Sequence, residues 1–173
     1  MGSEMCIRDR NLDTYLEAIE HLNGRYDLML LDCAPGLGTD AMVGIASATE
    51  LLVVINPEWP SITDALKTIK FAEEIGVPTT GVILNRRRNE PFEPDTQQIE
   101  AFLDAPIIAE VPEDKNIRRG VACARPVSVA RPNSRAALSY RKVASSLLGL
   151  HYEPRISIRE KIMEIWRDLV GDF

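Results

Sequence analysis

The chain has 173 residues, 45% of them hydrophobic and 27% charged, which is enough for one domain with a sizeable core. Its net charge of -6 sets it apart from basic nucleic-acid-binding domains. No apolar run approaches the ~18 residues that span a bilayer, and Cys6, Cys33 and Cys123 include no C-x-x-C pair, against a thiolate zinc site or disulfide framework.

Free thiols and the lack of an apolar leader segment point to a cytoplasmic protein. The first ten residues, MGSEMCIRDR, are polar and aperiodic and join abruptly to a helical pattern. The run Glu4–Asp9 back-translates to GAG ATG TGT ATA AGA GAC. Followed by AG, that string matches a transposon end used in sequencing-library adapters. Residues 1–10 are therefore expected to be non-native, with an ordinary polar tail as the alternative.

From Leu12 to Leu22 apolar residues recur at helical spacing, and Asn23-Gly24 ends the helix. Tyr26 to Leu31 is a nearly continuous apolar run ending in Asp32, the pattern of a strand buried on both faces. Residues 34–38 form a loop, and Thr39 or Asp40 can cap a helix running to about Ala48. Leu51–Ile55 is a second strand, and Ser61 or Thr63 opens a helix to about Ile75, closed by Gly76. Thr80–Leu84 is a third strand, Arg86 to Asp95 a polar loop and Thr96–Leu103 a short helix. Pro106–Val111 is a fourth strand, and helices follow over about 114–123 and 134–150. Alternation of strand, loop and helix implies an α/β parallel sheet with flanking helices. Ligands bind such sheets at the carboxyl ends of the strands, which here carry Asp32, Asn56, Asn85 and Pro112-Glu113-Asp114.

Asp32 ends a hydrophobic strand, and Gly36 follows four residues later. A carboxylate there can hold the water shell of Mg²⁺, and a glycine N–H can approach a phosphate closely. The bland reading of such an aspartate is a turn or cap residue. The other strand ends bear on this choice: Asn56-Pro57-Glu58, Ser61-Ile62-Thr63-Asp64-Ala65, Leu84-Asn85-Arg86 and Val111-Pro112-Glu113-Asp114 follow in that order. With Asp32-Cys33-Ala34-Pro35-Gly36-Leu37-Gly38 they resemble the MinD family, within the ParA/MinD group of P-loop ATPases. Arg118-Arg119, Pro126-Val127 and Pro132-Asn133-Ser134 are similar to that family too. The resemblance covers about residues 25–148.

The resemblance implies roles for these residues. Asp32 would be the Mg²⁺-side aspartate and Gly36 the γ-phosphate sensor. Asn85, with Arg86 beside it, would meet the adenine edge, since an amide both donates and accepts. Pro112 and the backbone through Glu113 and Asp114 would line the base pocket. Glu58 would lie near the interface of an ATP-bound homodimer, and the Glu58–Asp64 region would meet a protein partner. Asn85 read blandly is a strand-terminating turn residue, and Asp64 a solvated first-turn carboxylate. ATP and Mg²⁺ would be the cofactors.

Such ATPases carry a glycine-rich loop with lysine after their first strand. Here the lysines are Lys67, Lys70, Lys115, Lys142 and Lys161, none follows a glycine, and none precedes Asp32. The chain is therefore expected to be a partial ATPase domain over residues 11–150, lacking the N-terminal P-loop strand and inactive by itself. Arg86-Arg87-Arg88 with Arg118, Arg119, Arg125, Arg131 and Arg135 make a local basic excess. It reads as solvated loop charge, offset by Glu90, Glu93, Glu110, Glu113 and Asp114, more readily than as a nucleic-acid surface.

Residues 151–155 read as a linker and 156–173 as an amphipathic helix. Ile158, Ile162, Ile165, Trp166, Leu169, Val170 and Phe173 share one face of it. By resemblance, Ile158–Phe173 would contact the membrane peripherally. Its slightly acidic charge also fits a helix packed on the domain or on a partner. The intact protein is expected to be an ATP-dependent dimerising switch in spatial positioning of the division site or other cargo. The alternatives are a degenerate, non-catalytic interaction module and an iron–sulfur carrier ATPase of the same superfamily, the latter disfavoured by the missing C-x-x-C pair.

Overall fold

A computed structural model of the chain describes residues 14–150. The expected N-terminal segment, linker and amphipathic helix lie outside these residues. A first helix, α1, occupies 14–22. Then follow α2 (Thr39–Ala46), β1 (Leu51–Ile55), α3 (Trp59–Glu74), β2 (Thr79–Arg87), α4 (Thr96–Leu103), β3 (Ile107–Pro112), α5 (Lys115–Ala122), α6 (Val127–Ala130) and α7 (Arg135–Leu147). The three strands form a parallel sheet in the order β1-β2-β3. The chain forms two compact units. The first ends at Ile83 and takes up Phe92–Ile107, and the second comprises Leu84–Pro91 and the residues from Ile108 on.

In the first unit, Leu51 N–H donates to Pro78 O at 2.9 Å and Val82 N–H to Pro106 O at 2.8 Å. Helix α3 turns Ile62, Ala65, Ile69 and Ala72 inward at three- and four-residue spacing. Ile62, Ile69, Val82, Ile99 and Leu103 are fully buried. Ile45, Ala72 and Val77 pack together with Leu51 and Phe71 at their edge. In the second unit the buried side chains include Leu84, Val111, Ala136 and Ala137.

The element boundaries differ from expectation for local reasons. Helix α2 begins after Gly38, with no side-chain cap from Thr39 or Asp40. Helix α3 begins at Trp59 because Pro60 fits the first turn, where its missing N–H costs nothing. Ser61 does not open the helix, and its Oγ accepts the Asn56 N–H at 3.1 Å. Strand β2 runs on to Arg87, into the stretch read as loop, because Glu113 N–H donates to Arg87 O at 2.9 Å. Helix α4 matches the expected span, its Asp95-x-x-Gln98 capping box satisfying two backbone N–H groups.

The strand expected over Tyr26–Leu31 is not formed. Residues 28–34 have no regular structure, and Leu28 and Leu30 are 49% and 73% exposed. An extended run becomes a strand only through a neighbour's ladder, and no strand among the described residues pairs with this one.

Candidate functional site

The second unit gathers Asn85, Arg86, Pro112, Glu113 and Asp114. Valine, isoleucine and leucine at 82–84 drive β2 into the interior, so Asn85 directly follows a buried run. Three buried side-chain oxygens among the described residues lack a hydrogen-bond partner: Thr79 Oγ1, Asn85 Oδ1 and Glu113 Oε2. Two of the three therefore lie at the carboxyl ends of β2 and β3, where a parallel sheet receives ligands. A buried acceptor without a donor is costly, so an incoming N–H would relieve Asn85.

Arg86 has φ 58°, a left-handed conformation inside a strand. Glu113 faces it: Oε2 lies 4.0 Å from Arg86 Nε and 3.8 Å from an Arg88 guanidinium nitrogen. This side-chain arrangement was not legible in the sequence, where Glu113 appeared only as pocket backbone and as one of the acids offsetting the arginines. Pro112 is the half-buried last residue of β3. Asp114 is committed to capping, with Oδ1 accepting Asn116 N–H at 2.8 Å and Oδ2 accepting Ala136 N–H at 3.4 Å. Burial pushes the Tyr140 phenol above its ordinary value, and the nearby Arg86 charge opposes the shift.

The first unit holds the other candidates. Asp32 and Gly36 are exposed in the irregular stretch, and Gly36 has φ 83°, which explains glycine there. Glu58 precedes α3 without capping it, and its N–H donates to Asn56 O at 2.8 Å. Asp64 is exposed and pairs with Lys67 at 2.9 Å, an ordinary helix-surface ion pair. Trp59, beside Glu58, stands edge-on to Phe102 with ring centroids 5.6 Å apart. Among the described residues no three His, Cys, Asp or Glu side chains converge as metal ligands.

The family model described as ParA, the NUBPL iron-transfer P-loop NTPase, matches residues 8–148. The chain belongs to the ParA family of P-loop NTPases. This ParA-family chain is 35% identical over 154 residues to an uncharacterized ATP-binding protein of Methanocaldococcus jannaschii, covering 89% of the chain and 57% of that protein. It superposes on the septum site-determining protein MinD of Pyrococcus horikoshii, a complex with Mg-ADP, with TM-score 0.72 and 32% identity over 76% of the chain and 54% of MinD. The cell division ATPase MinD of Pyrococcus furiosus gives TM-score 0.73 at 32% identity, over 79% of this chain and 57% of that one. The chain thus spans little more than half the length of these relatives.

Proposed function

We propose that this chain carries the base-recognising and switch-bearing part of a MinD-like ATPase, an ATP-dependent dimerising switch in spatial positioning. The observation that carries the reading is the buried, unpartnered Asn85 Oδ1 at the end of β2. An adenine edge offers both a donor and an acceptor to a carboxamide, so Asn85 suits it by type and by place. Guanine presents a carbonyl where adenine presents an amine, so Asn85 is a natural point of discrimination.

The phosphate side does not fit residues of this chain alone. The sequence holds no glycine-rich loop followed by lysine, and the row of N–H groups and the cation that phosphates need are not supplied. The exposed Asp32 carboxylate and the Gly36 N–H are suited to a Mg²⁺ water shell and a γ-phosphate only alongside such a loop. In this reading Glu58 lies near the homodimer interface, the Glu58–Asp64 surface receives a protein partner, and Ile158–Phe173 touches the membrane face. No helix among the described residues is long and apolar enough to cross a membrane.

The test joins this chain to the N-terminal portion of the Pyrococcus horikoshii MinD and follows nucleotide hydrolysis. Asp32→Ala is expected to abolish hydrolysis while sparing most ATP affinity. Asn85→Ala is expected to reduce the preference for ATP over GTP. Equal loss of both nucleotides in the Asn85 variant would reduce Asn85 to a structural residue and sink the reading. The family description also favours an iron-transfer reading, but among the described residues Cys33 and Cys123 are exposed thiols and no three His, Cys, Asp or Glu side chains converge to hold a cluster.

A further inference from the structure

We infer that Glu113 is a positioning residue for Asn85: by gripping the three arginines that follow it, Glu113 holds the bulged end of β2 that aims the Asn85 carboxamide. The inference rests on the reading of Asn85 as the base-recognising residue.

Strand β2 contains a defect next to its functional residue. Arg86 adopts φ 58° although it has a Cβ, and Asn89 repeats the conformation at φ 59°. Asparagine tolerates this geometry, helped here by the Arg87 Nε donating to its Oδ1 at 3.2 Å. Arginine is not favoured there, and a strained residue persists only where its surroundings over-determine it. A left-handed residue within a strand acts as a bulge, and bulges redirect neighbouring side chains. The neighbour in question is Asn85.

Glu113 supplies the over-determination from both its backbone and its side chain. Its N–H donates to Arg87 O at 2.9 Å, fixing the register just beyond the defect. Its Oε2 lies 4.0 Å from Arg86 Nε and 3.8 Å from an Arg88 guanidinium nitrogen, on the two flanking residues. One residue thus touches three consecutive positions. The same oxygen is buried and makes no hydrogen bond. Its charge is stabilised at long range by the two guanidinium groups, and theirs by it. A neutral side chain of the same shape would keep the backbone bond and lose the grip on Arg86 and Arg88.

The experiment uses the whole chain and the side-chain amide resonances of Asn85, assigned with Asn85→Asp. In the free protein, Glu113→Gln should move or broaden the Asn85 amide pair, and Glu113→Asp, which keeps the charge on a shorter stem, should restore part of its position. The melting temperature should change little, because both arginine partners are mostly exposed and the Glu113 backbone bond to Arg87 is kept. Titration with adenosine, with guanosine as control, reads recognition without calling on phosphate contacts. The adenosine-specific shift of Asn85 seen in the parent chain should be lost in Glu113→Gln and partly recovered in Glu113→Asp. An Asn85 resonance indifferent to Glu113→Gln overturns the positioning role. A parent chain whose Asn85 ignores adenosine overturns the base reading instead, and the two failures are separate.

Discussion

Asp114 Oδ2 accepts the backbone N–H of Ala136, across 22 positions of sequence, at 3.4 Å. Its other oxygen caps α5 through Asn116 N–H at 2.8 Å, so one carboxylate anchors the first turns of two helices. Asp114→Ala should therefore destabilise the protein by about 1–2 kcal/mol, the usual cost of losing a helix cap, measured by urea unfolding. An unchanged unfolding midpoint would show that the two N–H groups find water instead.

Gly44 of α2 faces Cys33, and a Cβ built at residue 44 would overlap the Cys33 Sγ. Gly44→Ala gains helix propensity but makes the exposed Cys33 thiol turn away, for a net loss of no more than about 1 kcal/mol. Cys33→Ala in the same chain should recover most of the loss. Thermal melts of the two single variants and the double variant measure the coupling, and an additive result would place the damage elsewhere.

Ile62 is completely buried, on the inward face of α3. Ile62→Ala should cost about 2–5 kcal/mol through lost transfer energy and a residual cavity. Asp64→Ala, on the exposed face of the same helix, should stay within about 0.5 kcal/mol of the parent. Denaturant titration of the pair separates the buried face from the surface that the proposed function assigns to a partner.

The Tyr140 phenol is raised above its ordinary value of 10.0 by burial, with Arg86 pulling the other way. The folded state holds this proton more tightly than the unfolded chain does. Its contribution to stability is therefore complete below about pH 10 and is lost as pH rises through the folded value. Tyr140→Phe should flatten that alkaline limb. Stability curves of parent and variant at neutral and alkaline pH check this, and identical slopes above pH 10 would contradict it.

Much of the architecture was legible because it is local. The continuous apolar run Leu51–Ile55 has no helical periodicity, and Asp95-x-x-Gln98 writes a helix start into four residues. The order and spacing of the motifs around Asp32, Asn56, Asn85 and Pro112 were enough to reach the family by resemblance. Tyr26–Leu31 shows the limit of that approach. Its composition suits a buried strand, yet a strand is a property of a pair, and no ladder forms along it among the described residues.

Tertiary structure alone decided what the polar side chains at the strand ends do. By sequence Glu113 and Asp114 are adjacent acids of equal standing. The fold gives Asp114 two backbone donors and leaves a Glu113 oxygen buried between two guanidinium groups. The left-handed Arg86 was equally invisible, because arginine carries no signal for φ 58° as glycine does. Apolar periodicity fixes an element through neighbours a few residues away, whereas the partner of a charge or an orphaned carbonyl comes from distant segments that meet only when the sheet has formed.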